Sequence, residues 1–114
     1  TTQFNLGYIR QKQARHEEAI ALFESAVNAS PALDRAWFGL GMSQVALDHR
    51  EAAVKSLERA AKLQPMNPHA LYELGMKHHA LGQPDKLAEV IDKLKQFDPK
   101  ATAQLIQATQ SMRT

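Results

Sequence analysis

The 114-residue sequence contains no cysteine. Disulfides, thiolate nucleophiles and Cys-ligated metals are therefore excluded, and the redox compartment leaves no trace. Cytoplasm and periplasm are equally compatible, so the localisation stays unknown. No apolar run is long enough to span a bilayer and no signal-peptide pattern is visible, so membrane insertion is not expected. A one-sided charge is missing as well. The chain has 14 Lys and Arg against 12 Asp and Glu, a formal net charge of +2. The two signs are interspersed without a basic run, which argues against a nucleic-acid partner. Aromatic residues make up only 6%, yet hydrophobic residues reach 44%, as in an ordinary globular domain rather than a disordered chain. No segment shows the strict alternation of a strand.

What the sequence does have is a period. Gly7, Gly41 and Gly75 are 34 residues apart, as are Leu6, Leu40 and Leu74, and Pro31, Pro65 and Pro99. Ala19 and Ala53 keep that interval, and so do Ala26 and Ala60. Independent columns sharing one period indicate repeated supersecondary units. Each unit reads as two helices. In the second, Trp37, Leu40, Gln44 and Leu47 recur at helical spacing, and after Asp48-His49 so do Ala53, Leu57, Ala60 and Ala61. Asp48 with Glu51 has the spacing of a capping box. Asn67-Pro68 and Asp98-Pro99 read as an N-cap followed by proline at the first helical position. Gly82 suits a helix end and Pro84 the first turn of the next helix. Gly41 and Ala53 are small where the two helices of a hairpin cross, with Leu40 and Leu57 filling the space beside them.

These residues resemble the tetratricopeptide repeat. Trp37, Leu40, Gly41, Ala53, Ala60 and Pro65 carry the resemblance in the second unit, with Leu57 in place of an aromatic residue. In the first unit it rests on Leu6, Gly7, Ala19, Phe23, Ala26 and Pro31, with Gln3 in place of Trp. The third matches at Leu74, Gly75 and Pro99, but Leu87 and Leu94 replace small alanines, which bears on the packing angle of its second helix. Arg10, Gln44 and His78 stand where the family has Tyr. The resemblance implies an all-α fold, a right-handed superhelical solenoid of antiparallel helix hairpins. Three repeats are expected over 1–33, 34–67 and 68–101, with a C-terminal capping helix over 102–114. Ala101, Leu105, Ala108 and Met112 would form the apolar stripe of that cap, and Gln104, Gln107, Gln110 and Ser111 its polar surround. The pentatricopeptide repeats that read RNA have a longer period. The chain begins at Thr1, inside a helical pattern, and reads as a piece of a longer protein with further repeats upstream.

Function is expected on the first helix of each unit. Beside the stripe used within the hairpin runs a second apolar stripe: Phe38, Met42 and Val45 in the second unit, Tyr72, Met76 and His79 in the third, Phe4 and Tyr8 followed by Gln11 in the first. Neighbouring residues on a helix point about 100° apart, so the stripes face different ways. The resemblance places these stripes on the concave face of the superhelix, as a groove for a peptide or helix of a protein partner. Met at two of these places suits an adaptable apolar surface. The plainer alternative is that Phe38 and Tyr72 pack between repeats. A further alternative is a self-assembling scaffold, with the groove filled by a missing segment or a second copy. One subclass of the family grips C-terminal carboxylates with Lys, Asn and Arg. The matching places here hold Phe4, Tyr8, Gly39, His69 and Glu73, so that mode is not expected.

Catalysis is not expected. His78 and His79 point in different directions on one helix, and His78 takes the place of the family's Tyr. His69 and His79 are ten residues apart, about 15 Å along a helix, too far for one metal ion. Glu17-Glu18 reads as a favourable pair at a helix start, and Asp92 and Lys95 as solvated surface. No nucleophile–base pattern, phosphate loop or HExxH spacing is present, and no cofactor is expected.

Overall fold

The computed structural model describes residues 2–111 and shows seven helices there, with no strand. They are α1 (Thr2–Lys12), α2 (His16–Ala29), α3 (Asp34–Ala46), α4 (Arg50–Leu63), α5 (Pro68–Ala80), α6 (Pro84–Lys95) and α7 (Pro99–Ser111). They divide into two compact units, Thr1–Pro65 and Met66–Thr114.

The turns inside the three hairpins are one structure repeated. Ala14, Asp48 and Gly82 all have positive φ, at 62°, 61° and 68°. In each, two backbone amides reach back to close the preceding helix, as His49 N–H to Gln44 C=O at 2.8 Å and Asp48 N–H to Val45 C=O at 3.0 Å. This is the Schellman arrangement, which satisfies carbonyls that the helix end would leave bare. It overturns the capping box read at Asp48 and Glu51. Asp48 lies two positions past the end of α3, its carboxylate is held by Arg50 Nε at 2.9 Å, and His49 is the residue that precedes α4. The tight turn consumes the position an N-cap would need.

The other caps follow the sequence. Asn67 Oδ1 accepts from the amides of His69 and Ala70 at 3.0 and 3.3 Å, with Pro68 as the first residue of α5. Asp98 Oδ1 accepts from Ala101 N–H at 2.9 Å, and Pro99 opens α7. Pro99 therefore begins a helix, whereas Pro31 and Pro65 at the same interval lie in connecting loops. The second helix of the third hairpin is correspondingly cut to 12 residues, against 14 in α2 and α4.

In the first unit the core is built of Ala19, Phe23, Ala26, Val27, Ala36 and Leu40, with Phe4, Ile20, Leu33 and Trp37 packed on it. Phe23 lies against both Gly7 and Gly39: a Cβ on either would come within 3.0 and 2.7 Å of its ring. Gly41 meets Leu57 in the same way, at 2.9 Å. The glycines are gaps into which the second helices fit, and close-packed interiors leave no slack there. Trp37 is anchored from two sides: its indole N–H donates to the Pro31 carbonyl at 2.8 Å, and Arg59 lies over its ring at 5.3 Å.

The three places that lack Tyr are each filled by a polar bridge. Arg10 pairs with Glu18 at 3.1 Å, Gln44 Oε1 accepts from Ser56 Oγ at 2.7 Å, and buried His78 donates through Nδ1 to Gln83 Oε1 at 2.9 Å. Each ties the first helix to the following turn or helix and leaves no buried polar group bare, as burial demands.

In the second unit α6 buries a different face from α2 and α4. Leu87 and Leu94 are buried; a Cβ on Gly75 would come within 2.7 Å of Leu105 on α7, and the α6 residue next to it is Val90, at 3.3 Å, rather than Ile91. Ile91 is the repeat equivalent of Phe23 and Leu57. Two leucines too large for the alanine places turn the buried face of α6. Ile91 instead borders an open cleft of about 220 Å³, with His79, Leu87, Ile106 and Thr109 also on its wall. On α7 the buried face is Thr102, Leu105 and Thr109, with Ala101 and Ala108 half-buried and Gln104, Gln107 and Gln110 exposed. Both threonine hydroxyls donate to carbonyls of the same turn, to Asp98 and Leu105, so they pack as nearly apolar groups. Met112 and the side chain of Ser111, assigned to the cap from the sequence, lie outside the described residues.

Candidate functional site

The helices that carry the stripes keep apolar residues beyond those that the hairpin contacts bury. On α3, Ala36, Gly39, Leu40, Gly41, Ser43 and Gln44 are buried. Phe38, Met42 and Val45 are left half-buried beside them. A helix apolar beyond its core stripe presents a second face.

In the first unit the structure brings α1 and α3 together along this face. Gln11, the continuation of Phe4 and Tyr8, donates from Nε2 to the Gly39 carbonyl at 2.8 Å and to Ser43 Oγ at 2.9 Å. His16 Nδ1 meets the same hydroxyl at 3.3 Å. Gln11 is thus a strut that fixes the register of the two helices. Phe4 is only partly a surface residue. Its ring lies 6.0 Å from that of Phe23 at 51°, on the unit's own core, and Arg35 stands 5.9 Å from its centroid. Tyr8 is 47% exposed, with Lys12 Nζ 5.0 Å from its ring. Arg35 and Lys12 belong to the same face, and the sequence reading passed over both. Spacing could have found them: Lys12 is one turn from Tyr8, and Arg35 one turn from Phe38.

In the second unit Tyr72, Met76 and His79 lie half-buried along α5. His79 also reaches the wall of the cleft that Ile91 borders. His69 is exposed at the start of α5. Among the described residues no three His, Cys, Asp or Glu side chains gather where a metal ion would be held, and no helix is long and apolar enough to cross a membrane.

Profiles of the tetratricopeptide repeat match residues 38–102 and, separately, residues 1–33. The chain belongs to the tetratricopeptide repeat family. Among solved structures it is similar to the first TPR of Spaghetti (RPAP3) bound to the HSP90 peptide SRMEEVD, at 18% identity, covering 99% of this chain and 92% of that one with a TM-score of 0.84. It is similar to MamA at 24% identity, covering 98% and 67% of the two chains, TM-score 0.88. A chain of the CopN-Scc3 complex is 16% identical, with 98% and 67% covered and a TM-score of 0.80. At such identities the likeness speaks for the fold. No curated protein matches the chain.

Proposed function

We propose that the chain is a non-enzymatic protein-interaction module, and that the second stripes, those of α1 and α3 in the first unit and that of α5 in the second, each offer a face to a peptide or helix of a partner protein. The observation that carries this reading is the half-buried row Phe38, Met42 and Val45 on a helix whose other apolar face is already spent on the core. A row of this kind offers the apolar anchors that helix or strand ligands dock on. The family supports it: one similar structure is described with a bound peptide and another as a complex of two proteins.

The test is affinity capture with the native chain and with a Met42→Glu/Tyr72→Ala variant, after circular dichroism has shown equal helicity. A partner retained only by the native chain supports the reading. Equal capture by both removes it. Light scattering over a concentration series separates self-association: a dimer that the same substitutions dissociate would make the partner a second copy.

A further inference from the structure

The face formed by α1 and α3 has a charge as well as an apolar row. Helix α1 carries no acid, and α3 carries only Asp34, at its first position. Lys12 and Arg35 are both exposed, and each stands over an aromatic ring of the face, at 5.0 Å from Tyr8 and 5.9 Å from Phe4. Among the described residues neither is in an ion pair. The acids of this unit that do pair are engaged elsewhere, Glu18 with Arg10 and Arg15, and Asp48 with Arg50. Tyr8 of α1 and Phe38 and Met42 of α3 thus share the face with two exposed cations that, among the described residues, form no ion pair. Gln11 holds its two helices in register without a ligand, so little ordering is left for binding to require.

We propose that this face takes an internal segment of a partner protein in which apolar side chains alternate with aspartate or glutamate, the carboxylates pairing with Lys12 and Arg35. The inference rests on the interaction reading above and names the chemistry of its ligand. Charge-assisted hydrogen bonds from a guanidinium and an ammonium orient such a segment, while the apolar residues of the face anchor it. The repelled partner is equally defined: a basic amphipathic segment meets two like charges.

The experiment is selection from a random peptide library displayed as internal segments, against the native chain and against Lys12→Gln/Arg35→Gln. Both positions are exposed, and unchanged thermal melting will confirm that the variant is folded. The sequence most enriched on the native chain is then made as an amidated peptide, and again with every Asp and Glu replaced by its amide. The expected result is enrichment of acids among Leu, Phe or Trp. Loss of the carboxylates, or of Lys12 and Arg35, should weaken binding about tenfold, as two partly exposed charge pairs allow. Raised salt should do the same. Apolar sequences without acids, or an amide peptide that binds equally well, would overturn the inference and leave the interaction reading standing. Sequences that bind Met42→Glu as well as the native chain, or no enrichment at all, would overturn both.

Discussion

Gly39 has no side chain because the ring of Phe23 occupies that space: a Cβ there would lie 2.7 Å from Phe23 Cζ. The ring belongs to α2 and the glycine to α3, so this contact sets how closely successive helices of the first unit approach. Adding the methyl group forces a rigid, fully buried ring to move. Gly39→Ala is expected to cost about 1–3 kcal/mol, the usual penalty of overpacking. The cost should shrink in a Phe23→Leu background, because the smaller side chain vacates the site. Urea denaturation of the two single variants and the double variant forms the cycle. Additive losses would show that the ring is not what Gly39 accommodates.

The three equivalent turns give an internal comparison. Ala14 and Gly82 share the same left-handed conformation, which a Cβ disfavours. No atom lies within 4 Å of where a Cβ on Gly82 would stand, so the backbone alone decides. Ala14→Gly should stabilise the chain by about 0.5–1 kcal/mol and Gly82→Ala should destabilise it by a similar amount. Chemical denaturation reads both, and the same sign for the two changes would contradict the shared turn.

Leu6 and Leu40 hold one place in the repeat but not one environment. Leu40 is 3% exposed against α2, whereas Leu6 is 39% exposed. Leu40→Ala is expected to cost about 2–4 kcal/mol, and Leu6→Ala less than about 1 kcal/mol. Equal losses would mean that Leu6 is buried in solution by a contact with another molecule. Sedimentation at several concentrations would then show the association.

Ile91 borders the cleft of the second unit at the place Phe23 fills in the first. Ile91→Phe should cover part of that open cleft and raise the melting temperature by about 1–3 degrees, through added apolar burial. Calorimetry checks it. A fall would show that Leu87 and Leu94 hold α6 too firmly for a ring to enter.

The legible part of the fold was the part written in local spacing. Hairpins, the repeat interval and the caps at Asn67 and Asp98 depend on residues within a turn or two of each other. The sequence also marked Leu87 and Leu94 as larger than the alanines at the same places in the other units, because volume can be compared column by column. The second stripe on α3 was visible for the same reason: helical angles are fixed before the chain folds.

The amino-acid sequence by itself determined the seven helices, the interval at which the small residues recur and the family of the fold. Period and residue size are properties of the chain, and they recur wherever it is cut. Only the tertiary structure decided that Phe23 requires Gly39, which recurs in no other repeat, and that Phe4 is half committed to the core. It also decided that Asp48 ends a helix rather than starting one, and that Lys12 and Arg35 stand over the rings of Tyr8 and Phe4. In each case the deciding quantity is the distance between helices. That distance follows from the summed volumes of side chains far apart in the chain, which no local pattern encodes.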